Sequence, residues 1–183
     1  MAQHTLSVLV ENSPGVLARV ASLFSRRGYN IDSLAVGPTE NPAISRMTIV
    51  LNLEGHALDQ VSAQLFKLVN VIGIQEMTEG NSRQRELLFV KVAATKSQLA
   101  DIASKFKAEI VDESSDSVIL QAIGTNRDLA ELLSALQKFG VKELVQSGAI
   151  AIELGSATIV DRTLVETGLA SSESHAQTQD YQN

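Results

Sequence analysis

The sequence predicts an α+β chain built as two tandem βαββαβ units, the ferredoxin-like plan. Three observations carry that prediction. Apolar residues switch between period two and helical spacing in the order strand, helix, strand, strand, helix, strand. Turn residues at Gly28, at Gly37 to Pro42 and at Gly140 punctuate those segments. After the short polar run Gly80-Asn81-Ser82-Arg83-Gln84-Arg85 the same order begins again.

In the first unit, Leu6, Val8 and Val10 alternate with Ser7, Leu9 and Glu11, which predicts a strand over 4–11. Val16, Leu17, Val20, Leu23 and Phe24 then repeat at helical spacing, so a helix is expected over 15–27, with Gly28 suited to the left-handed position past its end. Strands follow at 31–37 and 45–53, the latter placing Met47, Ile49, Leu51 and Leu53 on one face. A helix over 57–68 presents Leu58, Val61, Leu65, Leu68 and Val69 as its buried stripe, and a strand over 71–78 closes the unit. The second unit reads strand 87–93, helix 96–107, strands 109–112 and 117–123, helix 127–139 and a final strand region over 141–154. Leu99, Ile102, Ala103 and Phe106 form one helical stripe, and Leu129, Leu132, Leu133 and Leu136 the other. The predicted organisation is a first domain over 1–79, a linker over 80–85, a second domain over 86–160 and a polar, disordered tail over 161–183. A four-stranded sheet with helices on one side leaves a face and edge strands open, so a homodimer is expected.

Composition narrows the function. A net charge of −6 gives no basic surface for nucleic acid, and the one local basic group, Arg19, Arg26 and Arg27, reads as a solvated helix face or a docking patch. No apolar run approaches the roughly 18 residues that span a bilayer, and the start of the chain lacks a signal-peptide pattern. A cytoplasmic protein is expected. The absence of cysteine excludes disulfides, thiolate metal sites and cysteine nucleophiles. His4, His56 and His175 stand apart without metal-ligand spacing, so no catalytic triad or histidine metal site emerges. Asp112-Glu113-Ser114-Ser115-Asp116 lacks the glycine and closing glutamate of a calcium loop and reads as a turn. Gly148 and Gly155 are too widely spaced for a nucleotide fingerprint. No catalytic residue and no metal site are assigned.

The segment that does carry chemistry is Asn12-Ser13-Pro14-Gly15-Val16-Leu17, where strand periodicity gives way to helical periodicity. Pro14 has no backbone donor to lose near a helix start, and Gly15 lets main chain approach a ligand. The amides of Val16, Leu17 and Ala18 are then exposed at the positive end of the helix dipole, a site for a small anion.

On Leu6-Ser7-Val8-Leu9-Val10-Glu11-Asn12, Pro14 to Val20, Arg27-Gly28-Tyr29-Asn30-Ile31, Ser33-Leu34 and Ser45 to Ile49, the chain resembles the regulatory small subunits of acetolactate synthase, whose first domain is an ACT domain. Arg85-Glu86-Leu87-Leu88-Phe89-Val90-Lys91-Val92 and Phe106 to Asp112 resemble that family's second domain, so about 4–155 is covered. The resemblance implies a noncatalytic subunit that activates a separate catalytic large subunit and confers feedback inhibition by valine or another branched-chain amino acid. It implies no cofactor on this chain, with thiamine diphosphate, Mg and FAD on the catalytic partner. It implies an effector held between two ACT domains, by Asn12, Gly15, Val16 and Leu17 of one protomer and Asn30 and Ile31 of the other. The closing segment departs from the family, which often carries arginines where this chain has Gln146 and Glu153. An ACT-type amino-acid sensor regulating a different enzyme is the alternative.

Overall fold

The computed structural model describes residues 2–54 and 57–166. The first unit runs β1 (Ala2–Glu11), α1 (Val16–Arg26), β2 (Ser33–Pro38), β3 (Ile44–Leu53), α2 (Ala57–Leu65) and β4 (Val71–Glu76). The second runs β5 (Ser82–Val92), α3 (Lys96–Phe106), β6 (Glu109–Glu113), β7 (Val118–Gly124), α4 (Asn126–Leu136), β8 (Val141–Gln146) and β9 (Ile150–Glu153), and α5 (Ile159–Glu166) follows. The sheets are ordered β2-β3-β1-β4 and β6-β7-β5-β8 with every pairing antiparallel, so the two units share one topology. Each central strand slips register at its end, β1 between Leu9 and Val10 against β4 and β5 between Lys91 and Val92 against β8.

Each unit has its own core. Leu6, Val8 and Val10 of β1 and Met47, Ile49 and Leu51 of β3 pack with Val16, Val20 and Phe24 of α1 and with Val61 and Leu65 of α2. Leu88, Val90, Val118 and Leu120 do the same with Leu99, Leu129, Leu132 and Leu136. Burying each such side chain is worth roughly 1.5–3 kcal/mol, which fixes which face of each sheet meets the helices. Helix α1 ends as its glycine predicts: Gly28 is left-handed at φ 69°, its amide donates to Ser25 O at 3.2 Å and that of Tyr29 to Phe24 O at 3.1 Å.

Several expectations are corrected. Four residues of the expected linker, Ser82 to Arg85, are strand: they begin β5 and pair with β9. Their polarity hides that strand because Gln84 faces the first unit, accepting from Thr5 Oγ1 at 3.0 Å and donating to Met77 O at 2.9 Å. The expected final strand over 141–154 runs along β5 as β8 and β9, with a one-residue slip between Gln146 and Ile150. At that slip Gly148 lies so close to β2 that a Cβ there would sit 2.3 Å from Leu34 O. The tail expected over 161–183 is helical through Glu166: Ile159 is buried, Asp161 and Thr158 cap each other's amides, and Arg162 pairs with Glu153. Residues 167–183 lie outside the described residues. Val69, expected in the buried stripe of α2, is 85% exposed, because the helix ends at Leu65 and tighter turns at Lys67 and Leu68 change its phase.

The second face of the first sheet is covered from within the chain. Thr5, Ser7, Leu9 and Thr48 on that face are all buried. The Ser33 hydroxyl accepts from the amide of Ala149 at 2.8 Å, and Thr163 of α5 sits against Gly73 of β4. Among the described residues no helix is long and apolar enough to cross a membrane.

Candidate ligand-binding site

The loop between β1 and α1 is held from below. Glu11 N donates to Asn70 O at 2.9 Å, Asn12 N to Ala43 O at 2.7 Å, and the Asn12 side-chain amide to Pro42 O at 2.9 Å. Asn70 links the neighbouring charges, donating to the Glu11 carboxylate and accepting from Arg19 Nη1. Glu11, Arg19 and Asn70 thus form a brace under the loop. Sequence reasoning did not assign it, because a polar residue between α2 and β4 carries no spacing that points back to β1.

Above the brace the loop is open. Gly15 is the residue before the helix and adopts a left-handed conformation, φ 86° and ψ −9°, with no side-chain cap. A Cβ at Gly15 would meet nothing within 4 Å, so the glycine is required by backbone conformation rather than by crowding. The first intrahelical bond is Arg19 N to Gly15 O at 3.0 Å, so the amides of Leu17 and Ala18 precede any acceptor in their own helix. Val16 N has only a long 3.5 Å approach to Ser13 O. No acidic side chain occupies the first turn of α1. Val16 is buried and anchors the helix, whereas Leu17 is 44% exposed beside the open amides.

The six residues expected at the site fall into two groups. Asn12, Gly15, Val16 and Leu17 lie at the end of the first sheet where Glu11 pairs with Ile44. Asn30 and Ile31 precede β2 at the other end, where Ser33 pairs with Val50. Six residues of β3 separate these levels, about 20 Å at the rise of a strand. One protomer therefore does not bring the two groups together. Ile31 packs against the first core, and the Asn30 amide donates to Asp32 Oδ1 at 2.8 Å, with Asn52 on the other oxygen of that carboxylate.

Other polar groups have structural work. His4 bonds Glu76 at 2.7 Å, and His56 and His175 lie outside the described residues. The acidic segment from Asp112 closes the β6–β7 turn, with Ser114 N donating to Ser117 O at 2.8 Å. Lys142 bonds Asp116 at 2.7 Å and holds its carboxyl below the ordinary range. Asp128, bonded to the hydroxyl and then the amide of Thr125, is lowered likewise. Of the two departures in the closing segment, Gln146 donates to Glu86 and Glu153 receives Arg162.

The family model for an acetohydroxyacid synthase (AHAS) small subunit-like ACT domain matches residues 6–73, and the model for the small subunit of acetolactate synthase matches 85–155. The chain belongs to the acetolactate synthase small-subunit family. It is 51% identical over 155 residues to the acetolactate synthase small subunit of Mycolicibacterium smegmatis, covering 83% of this chain and 91% of that one. It is 43% identical over 157 residues to the probable small subunit of Archaeoglobus fulgidus, covering 84% and 98% respectively. The crystal structure of the acetolactate synthase small subunit from Thermotoga maritima superposes with a TM-score of 0.79 at 30% identity, over 86% of this chain and all of that one. An acetolactate synthase small subunit with an ACT domain has a regulatory role, and the open helix start at Gly15 lies within that ACT domain.

Proposed function

We propose that this chain activates the thiamine-diphosphate-dependent catalytic subunit of acetolactate synthase and makes it sensitive to feedback by valine or a related branched-chain amino acid. The observation that supports this is the uncapped start of α1 at left-handed Gly15. An amino acid's carboxylate fits the amides of Leu17 and Ala18, and Asn12, whose nitrogen is committed to Pro42, offers Oδ1 and nearby carbonyls to the ammonium. The exposed Leu17 side chain suits the apolar end of the ligand.

Magnitudes favour a site shared between protomers. The helix terminus contributes roughly 0.3–2 kcal/mol and burial of a valine side chain roughly 1.5–3. Micromolar binding requires about 8 kcal/mol. Asn30 and Ile31 of a second copy supply further contacts, and the separation of the two groups within one chain is what a shared site requires. The face of the second sheet bearing Ile123 and Val145, each 63% exposed, offers additional surface for such a homodimer. Thiamine diphosphate, Mg and FAD are assigned to the catalytic partner, and the pair is placed in the cytoplasm.

The test is reconstitution. Adding this chain to its catalytic subunit raises acetolactate formation, valine lowers it, and Gly15→Asp raises the half-inhibitory valine concentration at least about tenfold by repulsion at the helix end. Wild-type sensitivity in that variant overturns the site, and no effect of the chain on catalysis overturns the function.

A further inference from the structure

The groove between α1 and α2 is unlike the rest of the chain in charge. It is an open cleft of about 690 Å³ lined by the small side chains of Ala18 and Ser22 and by Arg19, Arg26, Arg27 and Lys67. No carboxylate lines it, although the chain as a whole has a net charge of −6. Four cations have therefore been gathered on one face of an acidic protein. Among the described residues Arg26, Arg27 and Lys67 make no ion pair. Arg19 is held in place by Asn70, which is buried, so one of the four is oriented before anything binds. Leu23 and Leu68, both half-buried, line the same groove.

We infer that this groove docks an acidic surface segment of the catalytic subunit. The inference rests on the regulatory reading above. Charge complementarity identifies the occupant: like charges crowded around a concave surface repel until a partner supplies carboxylates, and the small side chains of Ala18 and Ser22 leave room for a segment between the helices. The half-buried Leu23 and Leu68 give that segment apolar contact among the cations, the arrangement of a protein interface rather than of a site for a small ion. The groove also has a place in the regulation. Arg26 and Arg27 lie at the C-terminal end of α1, about 15 Å from the Gly15 amides at its start. One rigid helix would then carry the effector at one end and the catalytic partner at the other.

The experiment measures association of this chain with its catalytic subunit between about 50 and 500 mM salt, for wild type and for the triple variant Arg26→Glu, Arg27→Glu and Lys67→Glu. The three positions are exposed, so the variant stays folded, its melting temperature lowered only by the few degrees that lost cations at the end of α1 cost. Docking in the groove predicts association weakened at least about thirtyfold at low salt, a gap that narrows as salt rises, and unchanged valine binding by the isolated chain. Equal affinities and salt slopes in the two proteins overturn the groove and leave the regulatory function intact. Failure of the wild type to associate overturns both. A chain shortened after Glu166 separates the remaining occupant: if the groove instead holds the chain's own segment 167–183, which carries acids and no Lys or Arg, the triple variant weakens association only while that segment is present, and equal affinities of the shortened wild type and the shortened triple variant overturn the proposal.

Discussion

The two units share a topology and a slipped central strand, yet they treat their second faces in opposite ways. In the first, Thr5, Ser7 and Leu9 of β1 lie on that face and are buried beneath the second unit and α5. In the second, the corresponding positions Leu87, Phe89 and Lys91 of β5 are only partly covered, and Ile123 beside Leu87 and Val145 beside Phe89 are each 63% exposed. Small polar side chains are inside and large apolar ones outside, the reverse of what either sequence pattern implies taken alone. The first sheet meets its neighbour through close backbone approach and through the hydrogen bonds of Thr5 to Gln84 and of Ala149 to Ser33, which suit small side chains. The second presents an apolar surface that the described residues leave open.

Helix starts differ in the same comparison. In α3, Gln98 reaches back to the amide of Thr95 at 2.9 Å, and in α4 Thr125 and Asp128 satisfy each other's amides at 3.2 and 3.0 Å. Helix α1, the counterpart of α3, has Gly15 and no cap. Helices α3, α4 and α5 close their starts with side chains and α1 leaves its own to backbone alone, which is the contrast that the proposed ligand site rests on.

The largest expected effect comes from the buried second face. Leu9→Ala should destabilise the chain by about 2–5 kcal/mol in denaturant unfolding, whereas Ile123→Thr should stay within about 0.5 kcal/mol for the protomer. Equal losses would break the contrast between the faces. Next is the contact between units: Gly148→Ala forces a Cβ against the Leu34 carbonyl, which cannot move alone, and should cost more than about 2 kcal/mol. Gly73→Ala meets the Thr163 hydroxyl at the same 2.3 Å, but a side chain can turn away, so its cost should be smaller in the same melts.

A third comparison sharpens the open helix start. Gly15→Asn and Gly15→Asp impose similar left-handed backbone strain, so their melting temperatures should agree within a few degrees. Only the aspartate should raise the valine requirement at least about tenfold in calorimetry. The smallest effect concerns a closed start. Thr125→Ala should cost about 1 kcal/mol at neutral pH. Because Asp128 titrates below its unfolded value near 3.9, its contribution is full above that pH and fades as pH falls through the folded value. The gap between the wild-type and Thr125→Ala stabilities should therefore narrow in acid unfolding as pH falls below about 4, down to the share owed to the Thr125 hydroxyl on the Asp128 amide.

Much of this was legible in the sequence. The helical stripes at Leu99 to Phe106 and Leu129 to Leu136, the Gly28 helix end and the Gly15 helix start all rest on local periodicity or local backbone demands, and the structure places them accordingly. What failed to show was nonlocal. Ser82 to Arg85 looked like a linker because its strand partner, β9, lies 65 or more residues away in the chain, and Thr5, which bonds Gln84, lies 79 away. Gly148 gave no sign of its approach to Leu34, and α5 looked like tail because its burial depends on Gly73 and Glu153. The brace of Glu11, Arg19 and Asn70 escaped for the same reason.

The central claim is that the uncapped amides of α1 receive the effector while the capped helix starts do not. Amide-resolved NMR of the isolated chain during a valine titration tests it most directly. The account predicts large saturable shifts at Leu17 and Ala18, matching shifts at Asn30 from the second protomer, and none at Gln98 or Asp128. Saturation with valine that leaves the Leu17 and Ala18 amides unmoved would contradict it.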